Sequence, residues 1–262
     1  MRMLKTLALL ATFALPAAGQ ARQSGDPFNW TGKIQPGRWI RVQNINGGIT
    51  VGQASGDNVE VVATKHWRRG DPSIVRIETQ KVGSGGGDVL VCALWGERSS
   101  CDENGSRSRG RIRNNDVTVE FRVLVPKGVK IGVATVNGAV SVDGASAEVD
   151  AETVNGELEV STSGGRVNAS NVNGSVRARL GKIENDGDMS FTTVNGSVIV
   201  EFDGDFGGDV DLETVNGSLN TNFEMTVSGR LDPKHLRAHI GRPGGPRIKL
   251  ETVNGSVELR KH

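Results

Sequence analysis

Apolar and polar residues alternate along most of the chain, and the alternation changes phase at one recurring tetrapeptide. TVNG occurs at 135–138, 153–156, 193–196, 214–217 and 252–255, with NVNG at 171–174 and an earlier relative, NING, at 44–47. Positions two, four and six before each Asn share one face of an extended strand. They are Thr135, Val133 and Ile131 before Asn137, and Thr193, Phe191 and Met189 before Asn195. They are Thr214, Leu212 and Val210 before Asn216, and Thr252, Leu250 and Ile248 before Asn254. Asn44, Val42 and Ile40 hold the same places before Asn46. Beyond each motif the apolar positions lie three and five after the Asn: Val140 and Val142, Leu158 and Val160, Val198 and Val200, Val257 and Leu259. A sharp turn at Asn-Gly returns both arms to one side.

Asn-Gly suits that turn because both residues tolerate positive φ. The turn pairs are Asn46-Gly47, Asn137-Gly138, Asn155-Gly156, Asn173-Gly174, Asn195-Gly196, Asn216-Gly217 and Asn254-Gly255. From Asn137 the Asn positions step by 18, 18, 22, 21 and 38 residues. The last step reads as two repeats, one of which lacks the motif and carries LDPKHLRAHIGRPGG instead. A period near twenty marks stacked β units. The pattern therefore predicts an all-β chain with almost no helix. Two geometries fit: a β-solenoid-like stack with superposed Asn-Gly corners, or a meander of hairpins with Asn-Gly as their two-residue loops. In both, parity turns Thr and Asn toward the core, where they would form internal ladders bonded from rung to rung. The demands of the turn explain the motif without any ligand.

The first twenty-one residues, MRMLKTLALLATFALPAAGQA, read differently: Arg2 and Lys5 precede an apolar run from Leu7 to Ala18 and then small residues. That is the layout of a secretory signal peptide, with cleavage after Gly19 or Ala21. The run is too short to span a bilayer, and nothing later in the chain could do so. Without Arg2 and Lys5 the balance is 29 basic to 30 acidic residues. Export gives the two cysteines a role. Cys92 and Cys101 flank ALWGERSS, and an even pair at this spacing in an oxidising compartment is read as a disulfide. The predicted organisation is a signal peptide over 1–21, an N-terminal β region with the disulfide loop over 22–116, and the TVNG repeats over 117–262, with 22–262 one continuous domain.

Composition narrows the function classes. With 31 Lys plus Arg against 30 Asp plus Glu in 262 residues, a strongly basic nucleic-acid binder is excluded. Thirty-six glycines and no tyrosine suit a turn-rich repeat. Charge is unevenly placed: residues 137–229 hold four basic and sixteen acidic side chains, and residues 230–262 hold eight and three. Arg107, Arg109, Arg111 and Arg113 fall in one loop. A solvated acidic face explains most of this, while basic ends would allow salt-sensitive contacts with charged polymers or with another copy. Trp30, Trp39, Trp67 and Trp95 all precede residue 100 and are read as packing residues; a glycan would find its best place near Trp67, Arg68 and Arg69.

Candidate chemistry is sparse. His235 and His239 in HLRAH have the spacing of a helical zinc pair, but Leu236 stands where such a site needs Glu. Asp203, Asp205 and Asp209 in DGDFGGD lack the remaining ligands of a calcium loop. Asp186 with Asp188 and Asp209 with Asp211 are the carboxylate pairs that a polysaccharide-cleaving β-helix enzyme would need. No cofactor motif is present, so neither a metal nor a catalytic site is assigned.

The repeated TVNG-x-[VL]-x-V, the preceding VTVEFRVLVPKGVKIGVATVNG and the closing GRPGGPRIKLETVNGSVELRK resemble the bacterial putative-adhesin domain family, whose relatives include head-GIN and toast-rack domains. The resemblance runs from about Asn29 to the C-terminus and departs at EFDGDFGGDV, where a Pro-containing rung end is the family pattern. It implies a right-handed β-solenoid-like fold and an exported, non-catalytic role at the cell envelope, in the periplasm, on the surface or outside. It implies no catalytic residues. The alternatives are a regulatory partner of an envelope-stress membrane protein and, further off, a polysaccharide-active enzyme.

Overall fold

Why the turn residues recur is visible in the strand pairing. In the computed structural model, which describes residues 22–103, 105–107, 115–181, 187–228, 232–241 and 245–262, strands on either side of each Asn-Gly enter different sheets. Lys130–Asn137 lies in one sheet and Val140–Ala145 in the other; Val149–Asn155 returns to the first and Leu158–Thr162 to the second. Each strand pairs in parallel with its counterpart in the next repeat, Ile131 opposite Val149 and Val140 opposite Leu158. The hairpin alternative is not what forms: the arms of an Asn-Gly turn do not pair with one another. The result is two eleven-stranded sheets and a small two-stranded one, with only two short 3-10 turns and no α-helix among the described residues.

Alternation then builds the core. Ile131, Val133, Val149, Ala151, Phe191, Leu212, Ile248 and Leu250 from the first sheet meet Val140, Val142, Leu158, Val198, Val200, Val257 and Leu259 from the second, all buried. Strands from the N-terminal region join both sheets, Trp39–Gln43 beside Lys130–Asn137 and Ile49–Gln53 beside Val140–Ala145. Hydrophobic burial at one repeating face is what each repeat cannot achieve alone.

Repeat order in space is not repeat order in sequence. Strand Arg247–Asn254 sits between Met189–Asn195 and Gly208–Asn216, parallel to both. Its sequel Val257–Lys261 sits between Val198–Phe202 and Leu219–Thr221. The last repeat is thus inserted into the stack. The 38-residue step does not contain a motif-less rung. Its residues form Thr226–Val227 and His235–Ile240, which pair antiparallel, the latter against Gly208–Asn216 at the edge of the sheet. An antiparallel strand of this kind closes an edge that a parallel stack would leave open.

Glu148 binds three rungs together, 2.8 Å from Lys130 and hydrogen-bonded to Arg166. Partial desolvation pushes its carboxyl up, but the hydrogen bonds and charges of Lys130 and Arg166 outweigh this and hold it below the usual range. A depressed carboxylate contributes stability that is present near neutrality and lost as pH falls through its folded-state value. Glu148→Gln is expected to lower the melting temperature near pH 7 and to converge with the parent only as pH falls through the lowered folded-state value, beneath the ordinary glutamate range. Parallel pH-melting curves check this; a constant offset at all pH values would contradict it.

Candidate functional site

At each Asn-Gly the chain crosses between sheets, and the four residues of the motif divide their tasks. The first position is buried and donates to the carbonyl of the preceding rung's glycine. Thr153 Oγ1 reaches Gly138 O at 2.9 Å, Thr193 reaches Gly174 O at 2.9 Å, Thr252 reaches Gly196 O at 2.8 Å and Thr214 reaches Gly255 O at 2.8 Å. In NVNG, Asn171 Nδ2 makes the same bond to Gly156 O at 2.7 Å, and in NING, Asn44 Nδ2 donates to Val119 O. Thr or Asn serves because the place needs a short side chain with a donor. Thr193→Val keeps the shape and strands the Gly174 carbonyl, so it is expected to cost about 1–2 kcal/mol, whereas Thr193→Asn should recover part of that. Chemical denaturation of the two variants checks the order.

The second and third positions face outward. Val136, Val172, Val194, Val253 and Val215 are exposed, forming a row with one apolar side chain per rung. Six of the seven Asn residues are exposed as well, and Asn46 is half-buried. This corrects the expectation that they point to the core: the strand's alternation ends at Val, and the turn leaves Asn on the outside as well. The rung-to-rung bonding itself is present. Asn137 Nδ2 donates to Asn46 Oδ1 at 2.8 Å, Asn155 to Asn137 at 2.9 Å, Asn173 to Asn155 at 2.9 Å and Asn195 to Asn173 at 2.8 Å. Asn254 then donates to Asn195 at 2.8 Å and Asn216 to Asn254 at 2.9 Å. The surface ladder follows spatial order, with residue 254 between 195 and 216.

Beside this edge, the outer face of the first sheet holds a concavity of about 580 Å³. Small residues Gly132 and Ala134 form part of its lining, with Arg41, Asp150 and Glu152 around them and Glu103 from the disulfide excursion. Val136, Val154 and Val172 extend it onto the valine row. Cys92 and Cys101 are joined, and with Leu90, Leu94 and Val82 they make a second small core on the outer face. The disulfide therefore holds in place the segment that carries Glu103. Gln43 Nε2 donates to Asp102 O at 3.1 Å, fixing that segment from the sheet side.

Apart from the valine row, no motif marks the lining residues named above. Gly132 and Ala134 are small residues at outward strand positions, and only knowledge of which repeats adjoin would have singled them out.

The sequence-level candidates lie elsewhere and do not converge. His235 and His239 are on a strand, not a helix, and each is hydrogen-bonded to a carboxylate, His235 to Asp211 at 2.8 Å and His239 to Asp209 at 2.9 Å. Asp203 pairs with Arg179, and Asp205 with Lys261, which together with nearby backbone holds the loop that departs from the family pattern. Phe202 and Phe206 stack at 4.6 Å there, with Phe223 edge-on. Asp188 accepts from the Arg247 backbone at 3.1 Å, and Asp186 lies outside the described residues, as do residues 1–21 and Arg109, Arg111 and Arg113.

Of the tryptophans, Trp95 is buried and Trp30 and Trp67 pack on the core. Trp39 is half-buried under Arg41, whose guanidinium stands 4.2 Å from the ring centre. Arg68, Arg69 and Gly70 give their backbone N–H groups to Asp116, whose carboxyl is held low by them, Gly70 contributing most.

No protein-family model matches the chain, and no curated protein matches it. Among solved structures, it is similar to a putative cell adhesion protein from Clostridium sporogenes, at 10% identity and TM-score 0.49 over 90% of this chain and 100% of that one. It is similar also to a putative adhesin from Bacteroides fragilis, at 8% identity and TM-score 0.29 over 90% and 97% of the two chains. A putative adhesin from Parabacteroides distasonis matches at 12% identity and TM-score 0.30 over 91% and 98%.

Proposed function

We propose that this chain is an exported, non-catalytic, adhesion-like module of the cell envelope, built as a right-handed β-solenoid-like stack and binding an extended surface polymer along its outer face. The observation that carries the reading is the repeated surface: an exposed Val on five of the seven rungs and a tethered Asn on every one, running into the concavity beside Gly132 and Ala134. A surface with a fixed period suits a ligand with a repeating unit, because each rung offers the same contact. Residues such as Asp209, Asp211, His235 and His239 are engaged with one another on an edge strand, an arrangement that serves packing. The export-like layout of the first twenty-one residues favours work outside the cytoplasm.

The test is binding of the chain lacking residues 1–21 to isolated envelope fractions and to a glycan array, at low and high salt. Saturable binding that weakens when Val172 and Val194 are both changed to Lys supports the reading. Binding that ignores these changes, or none to any fraction, overturns it.

A further inference from the structure

The Asn-Gly ladder has one end that is chemically unlike its interior. Each interior turn is held twice. Its glycine N–H donates to the Asn carbonyl of the next rung: Gly47 to Asn137, Gly138 to Asn155, Gly156 to Asn173, Gly174 to Asn195, Gly196 to Asn254 and Gly255 to Asn216, all between 2.8 and 3.0 Å. Its Asn side chain, from Asn137 through Asn254, both donates to one neighbour and accepts from the other.

Asn216-Gly217 is the last rung, and the direction of the ladder leaves it half held. Asn216 Nδ2 donates to Asn254, but among the described residues nothing donates to Asn216 Oδ1 and nothing accepts from the Gly217 N–H. Asn216 is exposed, and Val215 before it is 57% exposed, the most open of the valine row. The carbonyl of the same peptide, Asn216 O, accepts from the Gly255 N–H at 3.0 Å. A hydrogen bond accepted at that oxygen draws charge from the amide and makes the Gly217 N–H more acidic.

We propose that Asn216 is a site of spontaneous succinimide formation and deamidation, and that the ladder protects the other six turns. Solvent base removes the Gly217 amide proton, and the nitrogen's electron pair attacks Cγ of Asn216. The Cγ–Nδ2 bond breaks and ammonia leaves with a proton from solvent, closing a five-membered imide. Water then opens the ring at either carbonyl, giving Asp or isoaspartate at 216. No oxidant or reductant is involved. In the interior turns the nucleophile's proton is already in a hydrogen bond and the amide is tethered from both sides, so attack requires the rung to open first.

The outcome differs between the two products. Asp at 216 removes the Nδ2 donor to Asn254 and adds negative charge at the end of the ladder. Isoaspartate also lengthens the backbone by one carbon, which displaces the carbonyl that accepts from Gly255. Asn254-Gly255 then becomes the open end. Conversion is therefore ordered, Asn216 before Asn254, from the tail of the stack inward.

Sequence supplies its own controls, because TVNGS is identical at 193–197, 214–218 and 252–256. The experiment incubates the folded chain in mildly alkaline buffer and follows these three peptides by mass spectrometry, with an isoaspartyl methyltransferase assay for the branched product. A second arm repeats the incubation in denaturant. In the folded protein, Asn216 is expected to convert at least about tenfold faster than Asn195 and Asn254, the ratio imposed by an added opening step of about 1.4 kcal/mol. In denaturant the three should convert alike. Equal rates in the folded protein, or an Asn216 lead that survives denaturation, would overturn the assignment.

Discussion

Removing residues 247–262 is expected to dismantle the whole far end of the stack, not just trim its last repeat. The inserted strands bury Ile248, Leu250, Val257 and Leu259, each at zero exposure, between neighbours on both sides. Four such side chains contribute about 6–12 kcal/mol of burial. Loss of the strands also uncovers Met189, Phe191, Val198 and Val200 on one side and Val210 and Leu212 on the other. Together these losses are the size of a typical domain's whole stability, about 5–15 kcal/mol. Gly208–Asn216 would be left attached only to the antiparallel strand His235–Ile240. Amide exchange should therefore show residues 208–216 losing protection completely in the truncated chain. Leu250→Ala gives a graded version, about 2–5 kcal/mol less stable, should the truncation fail to accumulate. Retained protection at Val210 and Leu212 after truncation would mean that the repeat stands without its inserted neighbour.

The same insertion marks where reading the sequence stops. Period-2 parity located the buried faces of nearly every repeat, since burial acts on the individual side chain and leaves its trace at each position. Ile131, Val133 and Thr135 are inside as parity requires. Parity holds at Val136, which faces outward, and fails only at Asn137, because it assumes an extended chain and the turn there leaves Asn137 outward as well. Spatial order left no trace at all. Every repeat presents similar apolar residues to its neighbours, so Ile248 fits beside Met189 as well as any successor would. The 38-residue step reads as a hidden rung, though its His235, Arg237 and His239 belong to an edge-covering strand. The concavity was out of reach for a related reason. It joins Arg41, Gly132 and Asp150, which come from three separate strands, to the disulfide excursion.

Glycine at position 174 is expected to be among the least replaceable residues of the turns. A Cβ there would lie 2.0 Å from Gly156 O and 2.8 Å from Asn171 Nδ2, at φ +138. The clashing oxygen is backbone in the adjacent rung, and Asn171 is hydrogen-bonded to that same carbonyl, so no rotamer change relieves the contact. Relief requires widening a spacing that strand hydrogen bonds fix at about 4.8 Å. Such a shift would propagate, because Gly156 and Gly196 approach their own neighbours just as closely. Gly204 separates backbone strain from crowding: its φ is +114, yet nothing lies within 4 Å of its would-be Cβ. Gly204→Ala should cost only the backbone term, about 1–2 kcal/mol. Gly174→Ala adds the collision and should cost about 4 kcal/mol or more, a fall of roughly 8–16 °C in Tm for a chain of this size. Equal losses in the two variants would show that the rungs can part at little cost, and that the close stacking of the turns is not what holds the ladder in register.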